Sequence, residues 1–403
     1  MHSDWNRFLD ECVLRSPFYQ RKWGGHRPQS LQEAPFTTKQ ELIVDQQNFP
    51  PYGSNLVFPL GEYVRLHQSS GTTTGQPLRW LDTQNSWRWL VSVWKKMMLR
   101  AGIRPHQDRI FFPFSFGPFL GFWMAFEASA EYGCLTLTGG SMSTSARLKF
   151  LLEHRATVIC CTPTYALRMA EVAQTEGYHL HDSAVRLLIV AGEPGGSICS
   201  TREKIESLWN ARVIDHYGLT EVGPVAIEPE NQPYDLEIPT EDYFAEVIDP
   251  QTEKPVVEGS QGELVLTNLG RFGSPLIRYR TGDIVKGVRN QQGNLILKGG
   301  ILGRADDMIQ VRGNNVYPSA LETIIRRFPE VVEFRIIART QQSLGDILIE
   351  IELSPENPSS EAEVSAKIAH AIKTELLFRT EVTVVPYGTL PRPEMKARRF
   401  FRQ

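Results

Sequence analysis

Seven positions, Ser69-Ser70-Gly71-Thr72-Thr73-Thr74-Gly75, hold five hydroxyl side chains and two glycines. Hydroxyls and backbone amides supply closely spaced hydrogen-bond donors, and glycine lets main chain approach a ligand. A polyphosphate needs such a surface, although a plain Ser/Thr/Gly turn has the same composition. The run differs from the lysine-bearing phosphate loop. Only three residues separate Gly71 from Gly75, and Gln76 stands where that motif places lysine.

Further segments could complete a nucleotide site. Ala191-Gly192-Glu193-Pro194 offers an open backbone edge suited to an adenine, or is a simple turn. His216-Tyr217-Gly218-Leu219-Thr220-Glu221 groups an aromatic face, a hydroxyl and a carboxylate. The aromatic can stack on a base and the carboxylate can hold Mg²⁺ against phosphate oxygens. The same residues also fit the capped start of a helix. Asp283, closing Tyr279-Arg280-Thr281-Gly282-Asp283, suits paired ribose hydroxyls or a turn. Arg304 suits a ribose or phosphate, or a solvated linker. Leu390-Pro391-Arg392-Pro393-Glu394-Met395-Lys396 opens a basic tail whose ordinary meaning is a solvated face.

The elements that must position these groups read as α/β. Val158–Cys161 and Leu187–Val190 are apolar runs with the length of buried strands, each followed by a loop. A helical pattern over Arg147–Arg155 precedes the first, and one over Tyr165–Glu176 lies between the two. Such alternation predicts a mainly parallel sheet with ligands at the carboxyl ends of its strands. From about Val247 the texture turns β-rich, with strands at Glu263–Thr267 and Asn294–Leu297. The last hundred residues read as a small α+β unit. Its helices are expected at Ser319–Arg327 and Ser360–Leu377, and its strands at Ile347–Leu353 and Val382–Val385, with a loop at Ser354–Ser359. The expected division is residues 1–305 and 306–403.

Composition narrows the function classes. A chain of 403 residues calls for more than one core. Its net charge of -3 gives no electrostatic case for nucleic acid. The five cysteines form no C-x-x-C pair, which suits buried reduced thiols in a cytoplasmic protein. Met1-His2-Ser3-Asp4-Trp5 lacks the basic and apolar regions of a secretory signal. The uncharged run Ile110–Phe126 is broken by Pro113, Gly117, Pro118 and Gly121, so it is expected to line a pocket rather than cross a membrane.

Taken in order, these segments resemble the adenylate-forming superfamily of acyl-CoA synthetases, adenylation domains and luciferases, and within it the phenylacetate–CoA ligase branch. Ser16-Pro17-Phe18-Tyr19-Gln20, Thr38-Lys39, Thr162-Pro163-Thr164-Tyr165-Ala166-Leu167 and Gly388-Thr389-Leu390-Pro391-Arg392 are also similar to that branch. The resemblance covers about Ser16 to Arg399. It implies ATP-dependent activation of a carboxylic acid as an acyl-AMP, then transfer to the thiol of coenzyme A. A carrier-protein phosphopantetheine arm or an amine is the alternative acceptor. An inactive nucleotide-binding protein is the rival class, which Glu221 and Lys396 together argue against. By resemblance, residues 69–75 close on the β/γ-phosphates, Ala191 to Pro194 line adenine with His216 beside them, and Tyr217 stacks on the base. Thr220 meets the α-phosphate, Glu221 holds Mg²⁺, Asp283 and Arg304 bind ribose, Asp306 is a hinge, and Lys396 is the catalytic cation of a mobile C-terminal domain.

The acid, expected to be aromatic, would lie against Phe116, Phe119, Gly218 and Pro224. Aromatic walls favour flat acids. The chain departs from the pattern in its third threonine, in Gln76 for a frequent lysine, and in Pro393-Glu394-Met395 for a glycine-containing run. Pro229 follows Ile227-Glu228 where some relatives place a zinc-binding cysteine, so no zinc is expected. The oligomeric state is not legible.

Overall fold

A computed structural model describes residues 8–9, 13–69, 77–311, 314–339, 346–355, 360–392 and 399–403. Ser70–Gln76 and Pro393–Arg398, with Lys396 among them, lie outside the described residues, as does most of the expected loop at Ser354–Ser359.

Strands β1 (Tyr63–Gln68) and β2 (Arg79–Thr83) pair antiparallel and flank the hydroxyl-rich run. The core is a parallel set formed by β3 (Arg109–Phe112), β4 (Leu135–Thr138), β5 (Val158–Cys161), β6 (Leu187–Ala191) and β7 (Arg212–Leu219). Alternation along each strand divides its side chains between two cores. Val158 and Cys160 join one, Ile159 and Cys161 the other. The first core is capped by helix Gln84–Arg100, whose buried Trp87, Leu90, Val91, Trp94, Met97 and Met98 recur at helical spacing. The second is covered by helices Thr144–Glu153, Pro163–Glu176 and Cys199–Trp209. Helix Pro163–Glu176 follows the local rules closely. Thr162 caps it, proline occupies its first turn, and Gly177 ends it in the left-handed region.

The β-rich stretch is continuous with this sheet. It comprises β8 (Gly223–Ile227), β9 (Leu236–Ile238), β10 (Tyr243–Ile248), β11 (Gln261–Asn268), β12 (Tyr279–Arg289), β13 (Leu295–Leu297) and β14 (Gly303–Arg304). Among the described residues the order is β10-β11-β12-β13-β9-β8-β7-β6-β5-β3-β4, with β14 on the edge of β12. The long strand β12 is the joint. Its first half pairs β11 and β14, and Gly287–Arg289 pair β13. Gly287 sits where a Cβ would fall 2.8 Å from Val247 Cγ2 and 2.9 Å from Leu295 Cδ1, so a side chain at the crossing would have to displace these methyl groups.

The C-terminal subdomain has its own core, beginning at Ile309. A hairpin of β15 (Ile309–Val311) and β16 (Asn314–Val316) precedes a sheet in the order β19-β18-β17-β20. These strands are β17 (Val331–Arg339), β18 (Asp346–Leu353), β19 (Glu381–Val384) and β20 (Phe400–Arg402), with helices Pro318–Ile325 and Glu361–Leu376 against them. The fold is therefore α/β as expected. Two differences stand out. His216 to Leu219 end strand β7 and lead into a hairpin turn, so the capped-helix alternative is not what forms. The stretch Ile110–Phe126 is a short strand, a loop and the start of helix Trp123–Glu131. No helix among the described residues is long and apolar enough to cross a membrane.

Candidate active site

The ends of the hydroxyl-rich run are clasped together. Ser69 N–H donates to Leu78 O at 2.9 Å, and Ser69 Oγ accepts from Leu78 N–H at 2.9 Å. Gln68 N–H donates to Pro118 O at 2.7 Å, which ties this clasp to the Phe-rich loop.

Tyr217, Asp283 and Arg304, far apart in sequence, meet at one place. The Tyr217 hydroxyl donates to Asp283 Oδ2 at 2.6 Å. Arg304 Nη1 donates to Asp283 Oδ1 at 3.1 Å, and its Nε to Asp306 Oδ1 at 2.8 Å. Cross-strand pairing of Asp283 with Arg304 sets this register. Gly282 makes it possible: it turns in the left-handed region (φ +75°), and a Cβ there would meet the guanidinium at 2.8 Å. Burial opposes the Arg304 charge, but Asp283 and Asp306 outweigh it and hold its pKa above the ordinary arginine value. Burial, with Asp283 beside it, pushes the Tyr217 phenol well up, so it stays a neutral donor. A carboxylate flanked by a phenol and a guanidinium can exchange either partner for vicinal hydroxyls. Gly192 (φ +93°) and Pro194 lie exposed at the end of β6, next to β7.

Glu221 is 4% exposed in the β7–β8 turn, and Lys39 Nζ stands 3.3 Å from its Oε1. Lys39 is the first residue of helix Lys39–Asn48, fixed by a reciprocal cap between Thr38 and Glu41. The turn itself hangs on a residue that motif reading passed over. Arg271 Nη1 donates to Thr220 O at 2.7 Å and to Glu221 O at 3.0 Å. Its Nε and Nη2 hold Asp82 Oδ1 and Oδ2 at 2.6 and 2.7 Å, with both side chains fully buried. Asp82 lies on β2, so the pair couples the strand leaving the hydroxyl-rich run to the Thr220-Glu221 turn. No cluster of three or more metal-binding side chains occurs among the described residues. A single protein carboxylate suits Mg²⁺, which keeps waters and takes phosphate oxygens as its other ligands, and such an ion would displace Lys39 from Glu221. Glu221 would be the protein ligand.

His216 takes the face of β7 opposite to Tyr217. It stacks on Trp94 at 4.2 Å with an interplanar angle of 20°, and neither ring nitrogen has a hydrogen-bond partner. Burial lowers its pKa to about 3, so it is a neutral imidazole against the first core. Gly218 and Pro224 lie beside it: a Cβ on Gly218 would come within 3.2 Å of the His216 ring and 3.3 Å of Pro224. Phe116 packs edge-on with Phe114, Trp123 and Phe126 at 5.1, 4.6 and 5.2 Å. Phe119 is half-buried near Gly117. Two-residue alternation, visible in the sequence, separates His216 from Tyr217; Lys39 falls in the Thr38-Lys39 segment of the family resemblance, whereas Arg271 carries no local signal.

Comparison with known proteins places this geometry. The AMP-binding enzyme family pattern matches residues 66–271, and the AMP-binding enzyme C-terminal domain pattern matches residues 313–403. The chain is 31% identical over 376 residues to the phenylacetate-coenzyme A ligase of Pseudomonas putida, covering 92% of this chain and 84% of that one. It is 30% identical over 420 residues to the Thermus thermophilus enzyme of the same name, covering 96% and 92%. It superposes on 2-hydroxyisobutyryl-CoA ligase in the postadenylation state with a TM-score of 0.92 at 25% identity, covering 100% of this chain and 89% of that one. Against an open conformation of that enzyme the TM-score is 0.74, at 25% identity and covering 99% and 90%. The chain belongs to the AMP-binding enzyme family, in which it stands with the phenylacetate–CoA ligases.

Proposed function

We propose that this chain activates an aromatic carboxylic acid, of the aryl or arylacetic class, and joins it to coenzyme A. The reaction class is that of an AMP-forming ligase. In the first step a carboxylate oxygen bonds to the α-phosphorus of ATP and the bond to pyrophosphate breaks, leaving an acyl-AMP. In the second the coenzyme A thiol attacks the acyl carbonyl, AMP leaves, and the thiol proton passes to solvent. The observation that carries the reading is the meeting of Tyr217, Asp283 and Arg304 beside the buried Glu221 turn.

The roles proposed for the described residues are supported by charge and placement, and those of residues 70–75 and Lys396 by the family resemblance. Asp283 and Arg304 would take the ribose hydroxyls, and Tyr217 would lie against adenine at the open edge of Gly192 and Pro194. A carboxylate approaching an anionic phosphorus meets like-charge repulsion. Mg²⁺ held by Glu221 would neutralise phosphate charge there. Thr220 would offer a hydroxyl to the α-phosphate, and the hydroxyl-rich run would close over the outer phosphates. Lys396 would add a cation in the transition state. It is proposed to ride on a mobile domain of residues 306–403 hinged at Asp306, which frees the site for the thiol afterwards. The edge-on cluster of Phe114, Phe116 and Trp123 supports an aromatic substrate. A soluble cytoplasmic setting agrees with the need for ATP and coenzyme A.

Acid-dependent ATP–pyrophosphate exchange over a panel of aromatic and aliphatic acids tests this directly. Arylacetic and aryl acids should support exchange, with the acyl-CoA product seen by mass spectrometry. Silence with every acid refutes the reading. Lys396→Ala should leave ATP binding nearly intact while lowering exchange by roughly a hundredfold or more. An equal loss of both removes Lys396 from its role.

A further inference from the structure

Strand β20 returns the chain to the C-terminal sheet four residues after Lys396. Its entry is fixed there, since Ile336 N–H donates to Arg399 O at 2.7 Å. The Arg399 side chain leaves that sheet edge and reaches the large domain. Nη1 and Nη2 each donate to Thr164 Oγ1 at 3.2 Å. On its own side the guanidinium is held by Glu333, through Nε and through Nη2 at 3.0 Å, with Glu322 at 3.8 Å.

Thr164 stands in the first turn of helix Pro163–Glu176, and its N–H donates to Glu193 Oε1 at 2.8 Å. Glu193 belongs to the loop proposed to line adenine. One threonine therefore touches the nucleotide loop through its amide and the C-terminal subdomain through its hydroxyl.

We propose that Arg399 is a positioning residue for adenylation: its contact with Thr164 seats the C-terminal subdomain against the nucleotide loop, and the contact is given up for the thioester step. This rests on the two-step reaction above. Two observations support it. The whole chain superposes on 2-hydroxyisobutyryl-CoA ligase with a TM-score of 0.92 in its postadenylation state and 0.72 in its thioesterification state. The Arg399 contact thus belongs to an arrangement close to the former. The second is where the countercharges sit. Glu333 and Glu322, which pair with the guanidinium, are on the same subdomain as Arg399. Its hydrogen-bond acceptor across the boundary is a neutral hydroxyl, and the Glu193 carboxylate there acts on it as a weaker, through-space charge. When the subdomain rotates, the guanidinium takes its paired carboxylates with it, so its charge stays compensated. A neutral acceptor is strong enough to bias the arrangement and weak enough to release it.

The two half-reactions separate this role from general stability. Thr164→Val removes the acceptor and leaves the Arg399–Glu333 pair whole. It should lower acid-dependent pyrophosphate exchange about tenfold, while thioester formation from supplied acyl-adenylate and coenzyme A stays at the wild-type rate. Arg399→Gln should have the same split, and the double variant should be no worse than Arg399→Gln alone. Equal losses in both half-reactions, or additive losses, overturn the assignment. Small-angle scattering of the ATP-loaded proteins reads the contact without any acid. Thr164→Val should shift the profile towards a more extended form. An unchanged profile overturns the proposal even where wild type activates every acid tested, and a shifted one sustains it even where wild type activates none.

Discussion

The turn carrying Glu221 and the boundary carrying Arg399 are each organised by an arginine, and they are built in opposite ways. Arg271 is fully buried, binds both oxygens of Asp82, and spends its remaining donors on two backbone carbonyls. Arg399 is paired with carboxylates of its own subdomain and hydrogen-bonds across the boundary to a threonine hydroxyl. A charge pair buried on both sides fixes a backbone that must not move while phosphates are aligned. A charge satisfied on one side alone permits separation. The contrast assigns rigidity and release to different parts of one reaction cycle.

The strongest way to break the contrast is at Asp82. Asp82→Asn leaves the Arg271 charge buried and uncompensated, so unfolding free energy should fall by about 3–5 kcal/mol. Both half-reactions should suffer together. Urea unfolding with the two separate assays checks this. A variant that slows adenylation alone would make Arg271 another mobile contact.

A smaller effect is expected at Asp215, on β7 two residues before Tyr217. Burial raises its pKa to about 7, against a hydrogen bond from Ser197 that works the other way. Since the folded value lies above the ordinary one, folding favours the protonated form. That contribution is complete below about pH 4 and is lost as pH rises to about 7. Asp215→Asn keeps the acceptor for Ser197 and should be more stable than wild type by about 1–3 kcal/mol at pH 8. The difference should shrink towards pH 4. Urea midpoints at several pH values measure it. A constant difference would mean that Asp215 does not titrate in this window.

The smallest effect sharpens the Tyr217–Asp283–Arg304 cluster itself. Tyr217→Phe removes the donor to Asp283 but leaves Arg304 and the ring. The KM for ATP should rise about fivefold with kcat little changed. Steady-state kinetics in ATP read this, and a fall in kcat alone would place the phenol in the chemical step instead.

Much of this was legible before any coordinates. Val158–Cys161 was read to the residue, because a buried parallel strand leaves an uninterrupted apolar run between a helix and a turn. Tyr217, Glu221, Asp283 and Arg304 stand out because their residue types suit phosphate, metal and ribose. Other parts were hidden for physical reasons. Arg271 acts on carbonyls and on a partner 189 positions away, and no local pattern encodes that. Arg399 looked like one more charge in a basic tail, since its neighbours Thr164 and Glu333 are assembled only by the tertiary fold. That the β-rich stretch continues the parallel sheet has no local sign, because strand pairing between Leu236–Ile238 and Leu295–Leu297 joins segments far apart in the chain. His216 is the exception. Its placement away from Tyr217 follows from strand alternation, once residues 212–219 are taken as a strand rather than a helix start.

Strand β12 has a consequence for how nucleotide affinity can be tuned. Tyr217 and Asp283 belong to strands four steps apart in the sheet order, roughly 19 Å along a flat sheet, yet their oxygens touch at 2.6 Å. The surface is therefore curled like a cupped hand, with β7 as palm and the first half of β12 as fingertips. Gly287 is the knuckle of that curl. Val247 and Leu295 pack around it without belonging to the proposed nucleotide site. Substitutions at this remote crease are expected to alter ATP affinity while every side chain of the proposed site stays the same.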